Sequence, residues 1–186
     1  MNGWLRADGR KGIRNVVIVA YLVECAHHVA RRIVQAADDI DVHLIGFPGC
    51  YPNAYADRMM RALVSHPNVG GVVLVSLGCE SFNRRGLLEA ARASGRPAEL
   101  FVIQETGGTL ATIQAGAEAV ERVRAQAANA PRTLVRVDEL IIGTICGGSD
   151  GTSGLTANPA VGDQRVEGAS DGAACIFEET GELVGC

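Results

Sequence analysis

Four short stretches of this chain carry side chains able to do chemistry, and each follows an apolar run. The first is Phe47-Pro48-Gly49-Cys50-Tyr51-Pro52-Asn53, a rigid Gly/Pro turn that sets the Cys50 thiol just ahead of a helix expected to be capped by Asn53. A helix start favours the thiolate, the form that binds metals and attacks as a nucleophile. For a single cysteine the commoner use is as a small buried hydrophobe. The second, Gly78-Cys79-Glu80-Ser81, sets a thiol beside a carboxylate; Glu80 reads either as an acid–base group or as a cap on the following helix. The third, Gln104-Glu105-Thr106-Gly107-Gly108-Thr109, has the form of an anion cradle, with two glycines ahead of a helix expected to be capped by Thr109. It lacks the Gly-Lys-Ser/Thr of a P-loop. The fourth, residues 146–159, gathers Cys146, Ser149, Asp150, Thr152, Thr156 and Asn158, more functional groups than a connection requires.

Brought to one point, Cys50, Cys79 and Cys146 would offer soft ligands for an iron–sulfur cluster or zinc. Glu80, Glu105 and Asp150 with their neighbouring hydroxyls suit a harder divalent metal. No Cys-x-x-Cys spacing gives a zinc signature. His27 and His28 follow the first strand and read either as site members or as an exposed helix face. His43 and the His66-Pro67 pair read as structural.

The elements that must position these groups alternate. Residues 3–15 are polar, Gly-rich and aperiodic, a loop into the first strand at 16–23. Helical spacing over 26–37, a strand at 42–47 and a helix at 54–64 make a second step. A strand at 72–77 leads to a helix through Leu87, Leu88 and Ala91 that ends at Gly95. A strand at 100–103 precedes a long Ala-rich helix from about 110 to 128, and further strands are expected at 140–143 and 173–177. Strands apolar on both faces, alternating with helices, predict an α/β fold: a mostly parallel sheet with helices on both faces, in three layers. In such sheets ligands bind beyond the carboxyl ends of the strands, where all four stretches fall.

With 186 residues, 47% of them hydrophobic, the length favours one α/β domain over residues 1–186. A net charge of −4 without a dense basic run gives no footprint for nucleic acid or an anionic membrane. The longest apolar run, residues 16–23, is far short of the ~20 residues a membrane span needs, and no leader-like segment precedes it. A cytoplasmic protein with six reduced thiols is expected.

The order Asp8-Gly9-Arg10-Lys11-Gly12-Ile13-Arg14-Asn15, His66-Pro67-Asn68-Val69-Gly70-Gly71, Leu77-Gly78-Cys79-Glu80, Gln104-Glu105-Thr106-Gly107-Gly108-Thr109 and Cys146-Gly147-Gly148-Ser149-Asp150-Gly151-Thr152-Ser153-Gly154-Leu155-Thr156-Ala157-Asn158-Pro159 resembles the altronate/galactarate dehydratase family. The family includes the large subunit of sulfolactate sulfo-lyase. The resemblance covers residues 3–162. It implies a metal-dependent lyase that removes water, or sulfite, from 2-hydroxy acids, with iron, as Fe2+ or a labile iron–sulfur cluster, the expected metal and another divalent ion the alternative. It also implies that Cys50, Cys79, Glu80, Gln104, Glu105, Cys146, Ser149 and Asp150 border the site. On that chemistry Glu80 and Glu105, with Ser149 and Asp150, are the expected catalytic groups, and Cys50, Cys79 and Cys146 the expected metal ligands. Gln104, Thr109, Thr152, Thr156 and Asn158 are expected to hydrogen-bond a polyol acid, with Arg10 and Arg14 clamping its carboxylate.

The resemblance implies as well a small N-terminal module, fused or as a separate subunit, and a substantial C-terminal region. Against it this chain reads as a catalytic core over 1–162 with a shortened part over 163–186, so a partner subunit or a homo-oligomer is expected. A non-catalytic or partner-dependent ligand-binding subunit is the second reading.

Overall fold

Every side chain of the strand Val69–Ser76 is buried whichever way it points, and five of the six in Val16–Tyr21 are buried too. A strand apolar on both faces requires cover on both sides, and that requirement sets the architecture. The computed structural model describes residues 1–145 and 151–177. In chain order the elements are β1 (Asn2–Leu5), β2 (Lys11–Gly12), β3 (Val16–Tyr21), α1 (Glu24–Ala37), β4 (Val42–Gly46), α2 (Ala54–Val64), β5 (Val69–Ser76), α3 (Arg84–Ala93), β6 (Ala98–Val102), the single turn α4 (Ile103–Thr106), α5 (Thr109–Ala127), β7 (Arg132–Leu134), a 3-10 turn (Val137–Glu139), β8 (Ile141–Thr144), α6 (Ala157–Ser170) and β9 (Ala174–Phe177). The chain divides into two compact units, Asn2–Thr133 and Met1 with residues 134–186.

In the larger unit the central sheet has the order β4-β3-β5-β6, all parallel. Alternate residues serve the two faces. Val17, Val19, Val73 and Val75 pack with Ala26, Val29 and Ile33 of α1 and Ala119, Val120 and Val123 of α5. Val16, Ile18, Val72 and Leu74 pack with Met60 and Val64 of α2 and Leu87 and Ala91 of α3. Each such valine contributes about 1.5–3 kcal/mol by leaving water. The result is the expected three-layer α/β fold. α1 and α5 approach closely because Gly116 has no side chain: a Cβ there would run into Ile33.

From β3 the chain moves outward to β4, then crosses back to β5 on the other side of β3. Connections leaving β3 and β5 therefore diverge, the point at which sheets of this kind bind ligands beyond their carboxyl ends. Residues 3–15, read as a loop, instead hold a hairpin of β1 and β2. Its turn is Asp8-Gly9, with Gly9 at φ 82 and the Arg6 N–H donating to Arg10 O at 2.8 Å.

In the smaller unit β8 and β9 pair in parallel, Ile141 opposite Ala174 and Thr144 opposite Phe177. A parallel pair needs a crossover, and α6 supplies it. The helix begins at Ala157, inside the stretch that reads as a loop; Pro159 is tolerated in its first turn. Among the described residues no helix is long and apolar enough to cross a membrane.

Candidate functional site

Three loops at the carboxyl edge of the central sheet are tied together by backbone. Glu24 N–H, after β3, donates to Pro48 O at 3.1 Å. Ser81 N–H and Ser81 Oγ, after β5, both donate to Cys50 O at 3.0 Å. The rings of Phe47 and Phe82 sit 5.9 Å apart beneath them. These contacts bring the Cys50 loop against the Cys79-Glu80 loop at the carboxyl edge of the sheet. Both thiols, and that of Cys25, are exposed and free. Asn53 caps α2 as expected, its Oδ1 accepting from Ala56 N–H at 2.8 Å.

The two candidate carboxylates are held differently. Glu80 is 6% exposed. Its Oε1 accepts a hydrogen bond from Ser76 Oγ at the end of β5, and its Oε2 accepts from Gly78 N–H at 2.8 Å. The Glu80 carboxylate thus folds its own loop over, and Gly78 turns there at φ 127. A Cβ on Gly78 would stand 2.5 Å from Gln104 Oε1, so the glycine also makes room for that side chain. Glu105, in α4, has a side chain 71% exposed, with Arg84 Nη2 3.8 Å from its Oε1. Arg84 Nη1 lies 3.5 Å from Gly78 O.

Gln104 and Glu105 stand on a helical turn rather than in an open cradle. After α4, Gly107 and Gly108 both take left-handed φ, 104 and 91, and Gly108, not Thr109, is the N-cap of α5. Thr109 is exposed in the first turn, and it is Thr112 Oγ1 that donates to Gly108 O, at 2.7 Å. The backbone made this difference: two successive left-handed residues leave no extended position for a threonine cap.

Arg10 and Arg14 do not join this group, which corrects the expected clamp. Arg14 precedes β3 and Arg10 reaches Ser65 O after α2, so both stand at the amino end of the sheet. Both are also engaged, Arg10 with Asp8 at 2.7 Å and Arg14 with Asp41 at 3.0 Å. His27 stacks on Tyr21 and pairs with Glu24 at 3.1 Å, and His28 faces solvent. In the smaller unit Thr152 O accepts from Thr156 Oγ1 at 3.0 Å, and Asn158 is exposed in the first turn of α6. Cys146, Ser149 and Asp150 lie outside the described residues.

The residues missed from sequence are Arg84, Ser76 and Ser81. Arg84 follows the cap Asn83, whose Oδ1 accepts from Gly86 N–H at 3.0 Å. That cap signal marks Arg84 as the first helical residue after the Cys79-Glu80 loop. Ser76, the polar end of an otherwise apolar strand, was the visible sign of a partner for Glu80.

Among the described residues no three His, Cys, Asp or Glu side chains come together to hold a metal ion. Cys50 and Cys79 offer two thiols from joined loops, and Glu80 is already engaged, so the described residues do not complete a metal centre.

Concavities of about 600, 380 and 520 Å3 open instead at the amino ends of the strands. Arg96 lines the first and third of these and Arg6 the third, and both spend their donors on backbone carbonyls and on Asn15 and Asp8; Arg92 in the first donates to Ala98 O, and Arg14 and Arg124 in the second pair with Asp41 and Asp39. With those cations occupied, the carboxyl edge is the stronger candidate.

Residues 3–128 match the family model described as D-galactarate dehydratase/altronate hydrolase, second domain, and residues 137–186 match D-galactarate/altronate dehydratase, C-terminal. Similar proteins include the altronate dehydratase of Bacillus subtilis, 28% identical over 98% of this chain and 39% of that protein. The (2R)-sulfolactate sulfo-lyase subunit beta of Chromohalobacter salexigens is 34% identical over 98% of this chain and 47% of that protein. The galactarate dehydratase (L-threo-forming) of Escherichia coli is 28% identical over 97% and 39%. The chain thus spans 39% to 47% of the length of these relatives.

Proposed function

The chain belongs to the D-galactarate dehydratase/altronate hydrolase family, and on that footing we propose that it carries the acid-binding, proton-moving edge of a hydro-lyase acting on sugar acids or related 2-hydroxy acids. The observation that supports this most is the meeting at one sheet edge of the Cys50 loop and the Cys79-Glu80 loop, joined through Ser81 and Cys50 O, with the Glu105 turn reached from the second loop's helix by Arg84 at 3.8 Å.

The reaction is a β-elimination. A base takes the proton from the carbon beside the carboxylate, the hydroxyl on the next carbon leaves as water, and the enol so formed becomes a 2-keto acid. Glu105, with its exposed carboxylate, is the base in this reading, a role worth roughly 10²–10⁴-fold in rate. Glu80 keeps the loop in place. Gln104 and Thr109, exposed beside Glu105, hydrogen-bond substrate hydroxyls. Iron belongs to the proposal as well, with Cys50 and Cys79 the thiols of this edge that would hold it, and polarisation of the substrate hydroxyl the chemistry it supplies when bound.

A second reading is favoured by one relative, which is itself a subunit beta. In it this chain binds the acid but turns it over only with a separate small module or within a homo-oligomer. One experiment separates the two. The 186-residue chain, purified without oxygen, is analysed for iron and sulfide, then incubated with altronate, galactarate and (2R)-sulfolactate while keto acid and sulfite are measured. Keto acid that disappears in Glu105→Gln supports the lyase. Binding without turnover supports the subunit. A chain that neither binds nor converts any of the three acids refutes both.

A further inference from the structure

A carboxylate substrate needs a cation at the carboxyl edge, and the arginines first expected to supply it stand at the other end of the sheet. We propose that Arg84 is the group that grips the substrate carboxylate, a proposal that rests on the hydro-lyase reading.

Three observations carry it. The first is position: Arg84 opens α3 directly after the Cys79-Glu80 loop, at the carboxyl edge of the sheet, and reaches Gly78 after β5 and Glu105 after β6. The second is the state of its guanidinium. The side chain is 25% exposed, so it has left much of its hydration behind, yet its contacts are long, 3.5 Å to Gly78 O and 3.8 Å to Glu105 Oε1. Bonds of that length are weak. Arg6 and Arg96, the buried arginines, hold several carbonyl or carboxamide oxygens each, and Arg61 and Arg122 hold carboxylates at 2.7 and 2.8 Å. Arg84 keeps its fork for something else, and a planar fork is matched by a carboxylate taken through two parallel hydrogen bonds.

The third is the neighbour. The carbon that loses its proton is one bond, about 1.5 Å, from the carboxylate carbon. The cation that holds the carboxylate and the base that takes the proton must therefore stand side by side, as Arg84 and Glu105 do. An incoming carboxylate replaces the long contact to Glu105, and Glu105 is left facing the acidic C–H. Gly78 O stays against the other edge of the guanidinium, and Glu80 fixes that carbonyl through Gly78 N–H.

Titration calorimetry on the 186-residue chain tests this, with altronate, galactarate and sulfolactate as ligands and galactitol as a carboxylate-free control. Arg84→Gln is expected to weaken the acid that wild type binds by roughly 10- to 100-fold while galactitol binding stays as it was. Arg84→Lys, which keeps the charge without the fork, recovers part of the loss. Arg85→Gln, one residue further along the same helix start, stays within about twofold of wild type. Arg84→Gln binding the acid as tightly as wild type overturns the assignment and leaves the hydro-lyase reading standing. An equal loss in the Arg84 and Arg85 variants overturns it too, since diffuse charge would then be the cause. A wild-type chain that binds none of the acids removes the hydro-lyase reading, and this proposal with it. Should Arg84→Gln fail to fold, Arg84→Lys decides: affinity equal to wild type rules out a bidentate grip.

Discussion

Glu80 and Glu105 stand at one sheet edge with the same chemical group and opposite circumstances. Glu80 is buried with both oxygens accepting hydrogen bonds, from Ser76 Oγ and Gly78 N–H. Its removal leaves a buried hydroxyl and a backbone N–H without their acceptor. Glu80→Ala should therefore cost about 1–3 kcal/mol of stability, read as a lower urea midpoint at unchanged slope. Glu105 carries one long contact and an open carboxylate. Glu105→Gln should leave the urea midpoint where it is and lower kcat for the acid that wild type converts by roughly 10²–10⁴-fold. The reverse pattern, a silent Glu105 and a Glu80→Gln chain that folds normally but is inert, would assign the base to Glu80. From sequence the two were indistinguishable, because burial comes from how β5 and its loop close over and not from the residue type.

At the scale of elements, most of the larger unit was legible. Runs such as 16–21 and 72–75, apolar at every position, have one stable use, the middle of a parallel sheet. The polarity of such a sheet also fixes ends: a residue just before β3 must lie at the amino edge, so the misplacement of Arg14 was avoidable from strand direction alone. The contact of Ser81 with Cys50 O was not legible, since it joins residues 31 apart through loops with no periodicity. Nor was α6, whose sequence has no apolar stripe to betray a helix. The hairpin of β1 and β2 carried its Asp8-Gly9 signal, but flanking strands this short do not alternate visibly. Gly78 is where loop and element meet. Gly78→Ala meets both a positive φ and the Gln104 carboxamide, so it should destabilise by about 1–3 kcal/mol and displace Gln104. Thermal denaturation reads the first effect, and weaker acid binding the second. A variant as stable as wild type would show that the loop relaxes freely.

On the scale of the larger unit as a whole, the amino end of the sheet is a charge cluster that binds the hairpin to the strands. Arg6 reaches Pro67 O, Asn15 and Arg14 O; Arg96 reaches Val69 O, Ser65 O, His66 O and Asp8. Burial, with Arg96 alongside, brings the Arg6 pKa down to about 10, so it is still charged at neutral pH. The hydrogen bonds of Arg10 hold the Asp8 carboxyl well below the usual carboxylate range. Partial desolvation, then Arg10 and Arg96, hold the His66 imidazole below its ordinary value, and Asn68 N–H donates to its Nδ1 at 3.2 Å, which requires that nitrogen unprotonated. The sign follows from linkage. A histidine depressed in the folded state takes up its proton first in the unfolded chain, so stability falls once pH drops below the unfolded value near 6.5, and the loss is complete at the lower folded value. Asp8 works in a separate window: its contribution holds above the unfolded value of 3.8 and is lost only as pH falls toward the depressed folded one. Between pH 7 and 5, therefore, His66 moves and Asp8 does not. The urea midpoint should decline over that range, modestly because the ring keeps an exposed edge and solvent screens it. His66→Gln should flatten the decline. A decline that persists unchanged in the His66 variant would place the titrating group elsewhere in the chain.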